Sequence, residues 1–312
     1  MNERIQIISK LLLVHIILPV GLTISFFFIS NGAYLFFLIV QTYLCILFLS
    51  GYWEFFGSVF RNLFLLLLDA ILFIILINKF VTSSNTHFNM AFTIIFALVQ
   101  AYLFFDLAKI IIVIFKKEKN SLEIAFPLRD GKYLITDGGN SKISRLMNYH
   151  FYSRVHRKNK TNNSMQFATD IVKIDPNKKR FLPKRNEEYP IFGEDVYCPM
   201  EGKVIKVENN IADNEPFIGT YPYNTGNTVV IKNANYYYLL GHLKKASIIV
   251  SIGSIVKAGD FIGQIGNSGY SERPHLHMQL IESDSENYWF GKGISIRFEG
   301  SNLFKNRVIK IT

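Results

Sequence analysis

His275 and His277, which are separated by one leucine, are the residues of this sequence best placed for metal chemistry. Alternate side chains of a β-strand point to the same face, so both imidazoles face one site if the segment is extended. One imidazole can then bind a metal ion while the other stays beside a metal-bound water. Alone the pair is a weak signal, because core and surface histidines account for most pairs of this kind.

Two further residues can complete such a site. His242 ends a predicted strand, and Asp170 lies at a predicted strand start in the segment Gln-Phe-Ala-Thr-Asp-Ile. Histidines and a carboxylate are the ligands of a catalytic zinc, which keeps one position for water and lowers the pKa of that water to about 7. The resulting hydroxide can attack an amide carbonyl, while neutral histidines nearby move protons or stabilise the oxyanion.

The elements that must position these residues divide sharply by composition. Residues 1–115 are overwhelmingly apolar, and nearly all of the charge follows them. Four apolar stretches are long enough, or nearly so, for a membrane-spanning helix, which needs about 20 residues. They cover residues 11–30, 33–50, 63–78 and 88–115. We therefore expect a transmembrane module of four helices over residues 1–118, and no cleavable signal peptide, because another apolar stretch follows the first almost at once.

Charged residues inside these stretches need an explanation, because carboxylates are costly in hydrocarbon. Asp69 lies in the third stretch, and Asp106 and Lys109 lie three residues apart in the fourth. Residues three apart on a helix can pair, so we expect a buried structural ion pair, with a transport or signalling role as the alternative. Four helices exceed what an anchor requires. Membrane lipid is therefore one expected partner, and binding to other membrane proteins is a second role left open.

The region from Ser121 onward is typical of a β domain. Short alternating segments are separated by turn signals such as Asp130-Gly131 and Gly259-Asp260, and no helix-period segment of good length occurs. The predicted strands include residues 132–136, 202–207, 227–232, 236–240, 248–252, 261–265 and 275–280. We expect a mostly antiparallel β domain over residues 119–312, closed or sandwiched, with polar loops at 151–164 and 177–190.

Several ordered blocks between residues 126 and 280 resemble the M23 family of zinc peptidases, the lysostaphin- and LytM-like peptidoglycan endopeptidases. The blocks are residues 196–204 (VYCPMEGKV), 226–229, 241–243, 256–260 with Gly263, 266–269 and 274–277 (PHLH). The family fold is a compact, mostly antiparallel β domain, which agrees with the predicted strands. The resemblance implies a zinc metalloendopeptidase, a hydrolase that cuts peptide bonds in peptidoglycan stem peptides or cross-bridges of the bacterial cell wall.

The resemblance also implies roles for individual residues. Asp170 and His277 would be zinc ligands. His242 and His275 would be the two catalytic histidines that do not bind zinc, activating water and stabilising the tetrahedral intermediate.

One position departs from the family pattern. The family usually has a histidine four residues before the ligand aspartate, and Gln166 stands there in this chain. Glutamine is a poor zinc ligand beside histidine. Similar members carry an N-x-H motif about twenty residues upstream, and Asn148-Tyr149-His150 fits it. We therefore expect His150 to be the third zinc ligand; alternatively, His150 is an ordinary turn residue and the site is crippled or metal-free.

Other functional classes remain open. A catalytically inactive M23-like binding or scaffold protein of the cell envelope is the main alternative, and Gln166 favours it. A lipoyl- or biotinyl-like carrier domain accounts for two of the blocks but explains neither His242 nor the pair at 275 and 277. The formal net charge is +10, but no basic motif is interleaved with aromatic residues. We therefore expect anionic lipid or wall polymers as partners and no nucleic acid.

Two criteria disagree about the side of the membrane on which the β domain lies. The basic residues Arg4 and Lys10 precede the first stretch, and three lysines between 116 and 119 follow the fourth. The positive-inside rule would place both ends, and with them the β domain, in the cytoplasm. The peptidoglycan substrate of the resembling family lies outside. We expect a multi-pass protein of the bacterial cell membrane with an extracytoplasmic peptidase domain, against the lysine count.

Overall fold

The structure is a computed structural model that describes residues 3–29, 32–82, 90–150, 163–174, 182–217 and 224–312. The chain divides into two compact units, Met1–Ile112 and Val113–Thr312. The first is helical and the second is built on β-sheet, as the sequence predicted. His87 and His156, and the greater part of the loop predicted at 151–164, lie outside the described residues.

The helical unit contains the four apolar segments of the sequence. The helices are α1 (Glu3–Leu12), α2 (Leu18–Phe28), α3 (Ala33–Ser50), α4 (Ser58–Thr82) and α5 (Met90–Phe115), with a π-helical turn at Leu13–Ile17. Four helical segments are long and apolar enough to cross a membrane: Ile5–Phe28, Ala33–Ser50, Ser58–Val81 and Met90–Phe115. The third is longer than the predicted 63–78, because α4 extends over the polar residues Arg61 and Asn62 and ends beyond Lys79.

Polar side chains in this unit bond within the unit. Asp106 accepts an ion-pair contact from Lys109 at 2.9 Å, the pair that the sequence predicted. Asp69 accepts a hydrogen bond from the Gln41 amide of α3. His15 is buried in the π-helical turn, where its Nε2 accepts the Tyr52 N–H at 2.9 Å. These groups are thereby satisfied inside the protein, as polar groups in an apolar surrounding must be.

The β unit is built on an 11-stranded sheet with a small two-stranded sheet beside it. The order along the main path is β13-β2-β3-β10-β7-β6-β5-β8, with β11, β1 and β12 branching from β10, and β4 pairs with β9. All pairs are antiparallel except β1 with β11. The strands are β1 (Ser121–Glu123), β2 (Gly131–Asp137), β3 (Thr169–Lys173), β4 (Asp195–Tyr197), β5 (Gly202–Glu208), β6 (Asn227–Asn233), β7 (Tyr236–Leu243), β8 (Ile255–Val256), β9 (Phe261–Gln264), β10 (Leu276–Glu282), β11 (Lys292–Phe298), β12 (Ser301–Asn302) and β13 (Val308–Ile311).

Six of the seven predicted strands are present, and the one predicted at 248–252 is wrong. Ile249 donates its N–H to Ile262, but the chain then turns, with Gly253 at a φ of +97° and Ser254 bonding back to Ser251. The alternating pattern reflects burial of Ile248 while Ile249 faces solvent, without a ladder of strand hydrogen bonds. Short 3-10 helices at Asn163–Met165 and Asn186–Glu188 interrupt the predicted loops.

A large hydrophobic core packs inside the β unit. Strands β2, β3, β6, β7 and β10 all contribute inward-facing apolar side chains, among them Ile135, Ile171, Ile231, Leu240 and Met278, each fully or almost fully buried. Burial of a large aliphatic side chain contributes about 1.5–3 kcal/mol. The central strands are therefore rigidly placed, and polar residues at their ends are held in fixed positions.

Candidate metal centre and active site

The register of three neighbouring strands brings most of the predicted site residues together. Asp170 of β3 pairs with His277 of β10, and His277 pairs with Gly241 of β7. His242 is the next residue of β7, and His275 directly precedes β10. Adjacent strands lie about 4.8 Å apart, so side chains at these positions meet without any long connecting segment.

A compact group of metal-binding side chains lies at this point: His150, Asp170 and His277, each buried. One ligand atom from each residue lies within 4.8 Å of the other two. Asp170 Oδ1 is 3.3 Å from His150 Nε2 and 2.9 Å from His277 Nδ1. Two donor atoms of a tetrahedral zinc shell lie about 3.3 Å apart when the ligand distances are near 2.0 Å, so the donor spacing suits this ion.

Neighbouring amides orient both histidines of this group. His150 Nδ1 lies 2.8 Å from Asn148 Oδ1, which leaves Nε2 facing Asp170. His277 Nε2 lies 3.2 Å from Gln279 Oε1, which leaves Nδ1 facing Asp170. Hydrogen bonds of this kind at the second ring nitrogen set the tautomer and orientation of metal-binding histidines.

The charges of the group also favour a cation. Burial alone would raise the pKa of Asp170, but the charge of His150 and the hydrogen bonds of His150 and His277 hold that pKa well below its usual range. Burial alone would lower the pKa of His150, but the charge and hydrogen bond of Asp170 raise it above the ordinary value. The carboxylate is therefore ionised and draws positive charge toward His150. A proton supplies that charge in part, and a divalent metal ion would supply it in full.

Two more histidines lie beside the group on its other flank. The ring of His242 is 4.7 Å from that of His275 and 5.6 Å from that of His277, between centroids. His242 Nδ1 lies 2.7 Å from the Ser268 carbonyl oxygen, and His275 Nδ1 lies 2.7 Å from the Arg273 carbonyl oxygen. A carbonyl oxygen can only accept, so both Nδ1 atoms carry the proton. Both Nε2 atoms therefore have a free lone pair.

The electrostatic surroundings keep these two imidazoles neutral. Burial lowers the pKa of His275 below its ordinary value. Burial also lowers the pKa of His242, and the charges of His275 and His277 lower it further, so that it lies well below the ordinary value. His275 Nε2 lies 3.5 Å from Asp170 Oδ2. Both rings thus present basic nitrogens next to the metal-binding group, the form that a proton acceptor requires.

The backbone around His242 is constrained from both sides. His242 has a φ of +59°, a left-handed conformation that histidine tolerates better than most residues do. Its N–H donates to the Thr225 carbonyl at 2.7 Å, and its own carbonyl accepts the Gly266 N–H at 2.9 Å. Unusual backbone of this kind is often found at functional sites, where the surrounding structure fixes it.

A buried polar network supports the loop that precedes His275. Ser271 Oγ lies 3.2 Å from His275 Nδ1 and 2.7 Å from Asn267 Oδ1. Asn267 donates its amide to Asn186 and to the Asn214 carbonyl, and its N–H is accepted by Asp213. The loop 266–271 is thereby tied to two other segments of the unit, which fixes the position of His275.

The side-chain amide of Gln166 is bonded to another residue. Its Nε2 donates to Asn140 Oδ1 at 3.0 Å, and its backbone carbonyl accepts the Ser141 N–H. The structure thus brings together His150, Asp170, His242, His275 and His277, while Gln166 bonds elsewhere. The roles of the five residues remain predictions.

Sequence reasoning missed the residues that orient these side chains. Gln279 lies two positions after His277 on β10, so strand alternation could have placed it on the same face. Asn148 belongs to the quoted N-x-H motif, but its hydrogen bonds require the folded structure. Ser268 and Ser271 act on the two outer histidines through a carbonyl and a hydroxyl, and the sequence carries no clear signal for either.

Comparison with known proteins gives a consistent result for part of the chain. Residues 189–288 match the model of Peptidase family M23. This region includes His242, His275 and His277, whereas His150 and Asp170 precede it.

Three similar proteins illustrate the extent of the likeness. An uncharacterized metalloprotease of Buchnera aphidicola is 36% identical over 109 residues, covering 35% of this chain and 27% of the relative. The peptidoglycan DD-endopeptidase ShyA of Vibrio cholerae is 33% identical over 113 residues, covering 36% and 23%. A solved zinc-containing peptidase from Vibrio cholerae is 24% identical and covers 54% of this chain and 37% of that one, with a TM-score of 0.31. The chain spans about a quarter of the length of the two curated relatives.

Proposed function

We propose that this chain is a membrane-anchored zinc metalloendopeptidase, because residues 189–288 match the model of Peptidase family M23. The proposed substrates are peptide bonds in peptidoglycan stem peptides or cross-bridges. The observation that carries the proposal is the buried group of His150, Asp170 and His277 with two neutral histidines beside it.

The ligands of the zinc ion in this proposal are His150, Asp170 and His277. Their chemistry fits, because two imidazoles and a carboxylate form a ligand set that catalytic zinc sites use and that leaves a coordination position free. When bound, zinc lowers the pKa of a coordinated water and polarises the scissile carbonyl. The amide of Asn148 contacts Nδ1 of His150 and that of Gln279 contacts Nε2 of His277, which leaves the other ring nitrogen of each histidine facing Asp170.

His275 and His242 handle the protons in this proposal. Each has its Nδ1 proton committed to a backbone carbonyl, so each can accept a proton only at Nε2. The first of them to accept the proton of the attacking water becomes a cation with an Nε2–H donor. That donor can then stabilise negative charge on the carbonyl oxygen or protonate the departing amine. Each histidine must therefore accept a proton at Nε2 before it can donate one from that atom.

Two observations support a cell-wall substrate. The curated relative from Vibrio cholerae is named as a peptidoglycan endopeptidase. The formal net charge of +10 favours association with anionic surfaces, which include wall polymers and lipid headgroups. Access to this substrate requires the β unit to lie outside the cytoplasm, with the four apolar helices as a multi-pass anchor.

Metal analysis together with hydrolysis tests the proposal on the full chain purified in detergent. We expect about one zinc per chain and release of peptides from purified peptidoglycan. His275→Ala should retain zinc and lose hydrolysis, whereas Gln166→Ala should retain both. Absence of zinc from the purified chain would refute the zinc metalloendopeptidase hypothesis. A chain that holds zinc but cleaves no wall peptide would refute the enzyme hypothesis in favour of a scaffold protein that binds peptides at the same site.

Labelling of intact cells tests sidedness separately. Lys257 is exposed in the β unit, whereas the native Cys198 is buried. A Lys257→Cys variant should react with a membrane-impermeant maleimide on spheroplasts, and the wild type serves as the control for Cys45 and Cys198. Reaction only after lysis would place the β unit inside, against the proposed substrate.

A further inference from the structure

Asn148 lies beside His150 and makes four hydrogen bonds from a fully buried side chain. Its Nδ2 donates to the carbonyl oxygens of Gly139, at 2.8 Å, and Ala168, at 2.9 Å. Its Oδ1 lies 3.1 Å from the backbone N and 2.8 Å from Nδ1 of His150. Every polar atom of this amide therefore has a partner.

These contacts determine which way the amide points. A flipped amide would place its oxygen against two carbonyl oxygens and its NH2 group against the backbone N–H of His150. Oδ1 must therefore face His150, and an oxygen that accepts there requires a proton on Nδ1. Gln279 does not impose this choice on His277, because its Nε2 has no partner among the described residues and the amide can present either end.

The consequence for His150 is a fixed donor atom. With a proton held on Nδ1, Nε2 is the ring nitrogen that can release its proton and bind a metal, and it lies 3.3 Å from Asp170 Oδ1. Asn148 also ties the His150 segment to Ala168, two residues before Asp170. One amide thus sets both the tautomer of His150 and its distance from the carboxylate.

We propose that Asn148 is a positioning residue of the metal centre, which holds His150 as the Nδ1–H tautomer with Nε2 directed at the metal. This inference rests on the proposed function, because it takes His150 as a zinc ligand. It explains how a histidine from outside the sheet can serve as a ligand beside two residues from paired strands.

Another buried asparagine provides a matched control. Asn227 is also fully buried, and its Nδ2 donates to the carbonyls of Ile211, at 2.8 Å, and Leu243, at 3.0 Å. Its Oδ1 accepts the Ile211 N–H at 2.8 Å. Asn227 thus makes a similar set of backbone bonds without orienting a proposed ligand, so its loss should affect folding alone.

Zinc affinity of the full chain in detergent, measured by competition with a chromophoric chelator, tests the inference. Asn148→Ala should weaken zinc binding by about 10- to 100-fold, the usual effect of removing a partner behind a ligand. Asn148→Asp keeps an oxygen that accepts from Nδ1 but loses the Nδ2 donors to Gly139 and Ala168, so it should bind zinc more tightly than Asn148→Ala. Asn227→Ala should change the affinity by less than about threefold. Equal affinities for Asn148→Ala and wild type, or equal losses for both Asn148 variants, would overturn the inference.

A measurement on the wild type does not depend on any variant folding. Ring 15N shifts of the histidine-labelled full chain should show His150 protonated at Nδ1, both without metal and with zinc. A proton on Nε2 of the neutral ring would overturn the inference. Absence of zinc binding by the wild type would instead refute the proposed function, and the metal-free spectrum would still decide the tautomer.

Discussion

The assignment of His150 rather than Gln166 as the third ligand predicts a difference in zinc-dependent stability. A ligand that binds only the folded state stabilises it by RT ln(1 + [L]/Kd), which is about 2.7 kcal/mol when free zinc is 100 times the Kd. Loss of a residue that hydrogen-bonds to a metal ligand weakens metal affinity by up to about 100-fold, and loss of a ligand itself should weaken it at least as much. At the same free zinc, His150→Ala would then gain only about 0.4 kcal/mol.

Gln166→Ala should behave differently, although it also loses an interaction. It removes the hydrogen bond to Asn140, which contributes about 1 kcal/mol with or without zinc. Its zinc-dependent gain should therefore remain about 2.7 kcal/mol. The quantity to compare is the zinc-dependent increase in the free energy of unfolding within each variant, because the substitutions also change the stability of the metal-free protein.

Urea unfolding of the full chain in detergent, at buffered free zinc and with chelator, measures the gain. Trp289 lies in the β unit and Trp53 in the helical unit, so a Trp53→Phe background assigns the fluorescence signal to the β unit. A His150→Ala variant that keeps the full gain, with a Gln166→Ala variant that loses it, would refute the reasoning and return the third ligand to position 166.

Three further predictions concern the surroundings of the site. His242→Asn should fold more stably than His242→Val by about 1–3 kcal/mol in urea unfolding, because asparagine tolerates the φ of +59° that a β-branched residue resists, and both should lose hydrolysis. Gly269→Ala should destabilise by at least about 1 kcal/mol in the same assay, because φ is +75° and a Cβ would collide with the backbone of Gly226. The lowered pKa values of His242 and His275 mean that the unfolded chain binds more protons below about pH 6.5, so the metal-free protein should lose stability from pH 7 to pH 5, by up to about 1.4 kcal/mol per pH unit for each histidine. The raised pKa of His150 acts in the opposite sense, because protonation of His150 stabilises the folded state as the pH falls toward 6.5. Metal-free His150→Ala should therefore lose stability more steeply than the wild type as the pH falls.

The strands could be predicted because alternation and turn signals bound them on both sides. Observed strands β5 and β6 are one residue longer at one end than the predicted ranges, and β2 is one residue longer at each end. The segment 248–252 has the same alternation but lacks a ladder partner beyond one hydrogen bond to Ile262. Side-chain pattern reports which residues are buried, whereas a strand also requires a neighbouring chain, which the local sequence does not specify.

The site shows the same division between what is local and what is not. His275 and His277 could be paired from their spacing alone, because two positions along one strand set their geometry. Asp170 and His242 could be named as candidates from their residue types, and their separate roles came from the family resemblance. The register of β3, β10 and β7 supplies the physical reason that they meet. His150 lies outside every strand, so spacing could not bring it to Asp170. In the folded chain, the hydrogen bonds of Asn148 to Ala168 and to His150 help to hold it there.

Asp170 and His277 are held by strand register, whereas His150 is held by the hydrogen bonds of Asn148, and this difference determines which candidate ligand could come from another position in the chain. Asp170 and His277 are opposite each other in a sheet, and moving either by one residue would turn its side chain to the other face. The third ligand has no such restriction, because it approaches from a segment that carries its own fixing amide. A chain with glutamine at position 166 can therefore keep a three-ligand centre, provided that a histidine and an asparagine two residues apart are held against the carbonyl of Ala168. If His150 is the third ligand as proposed, zinc binding should depend on Asn148 as well as on His150, and Gln166→Ala should not remove it.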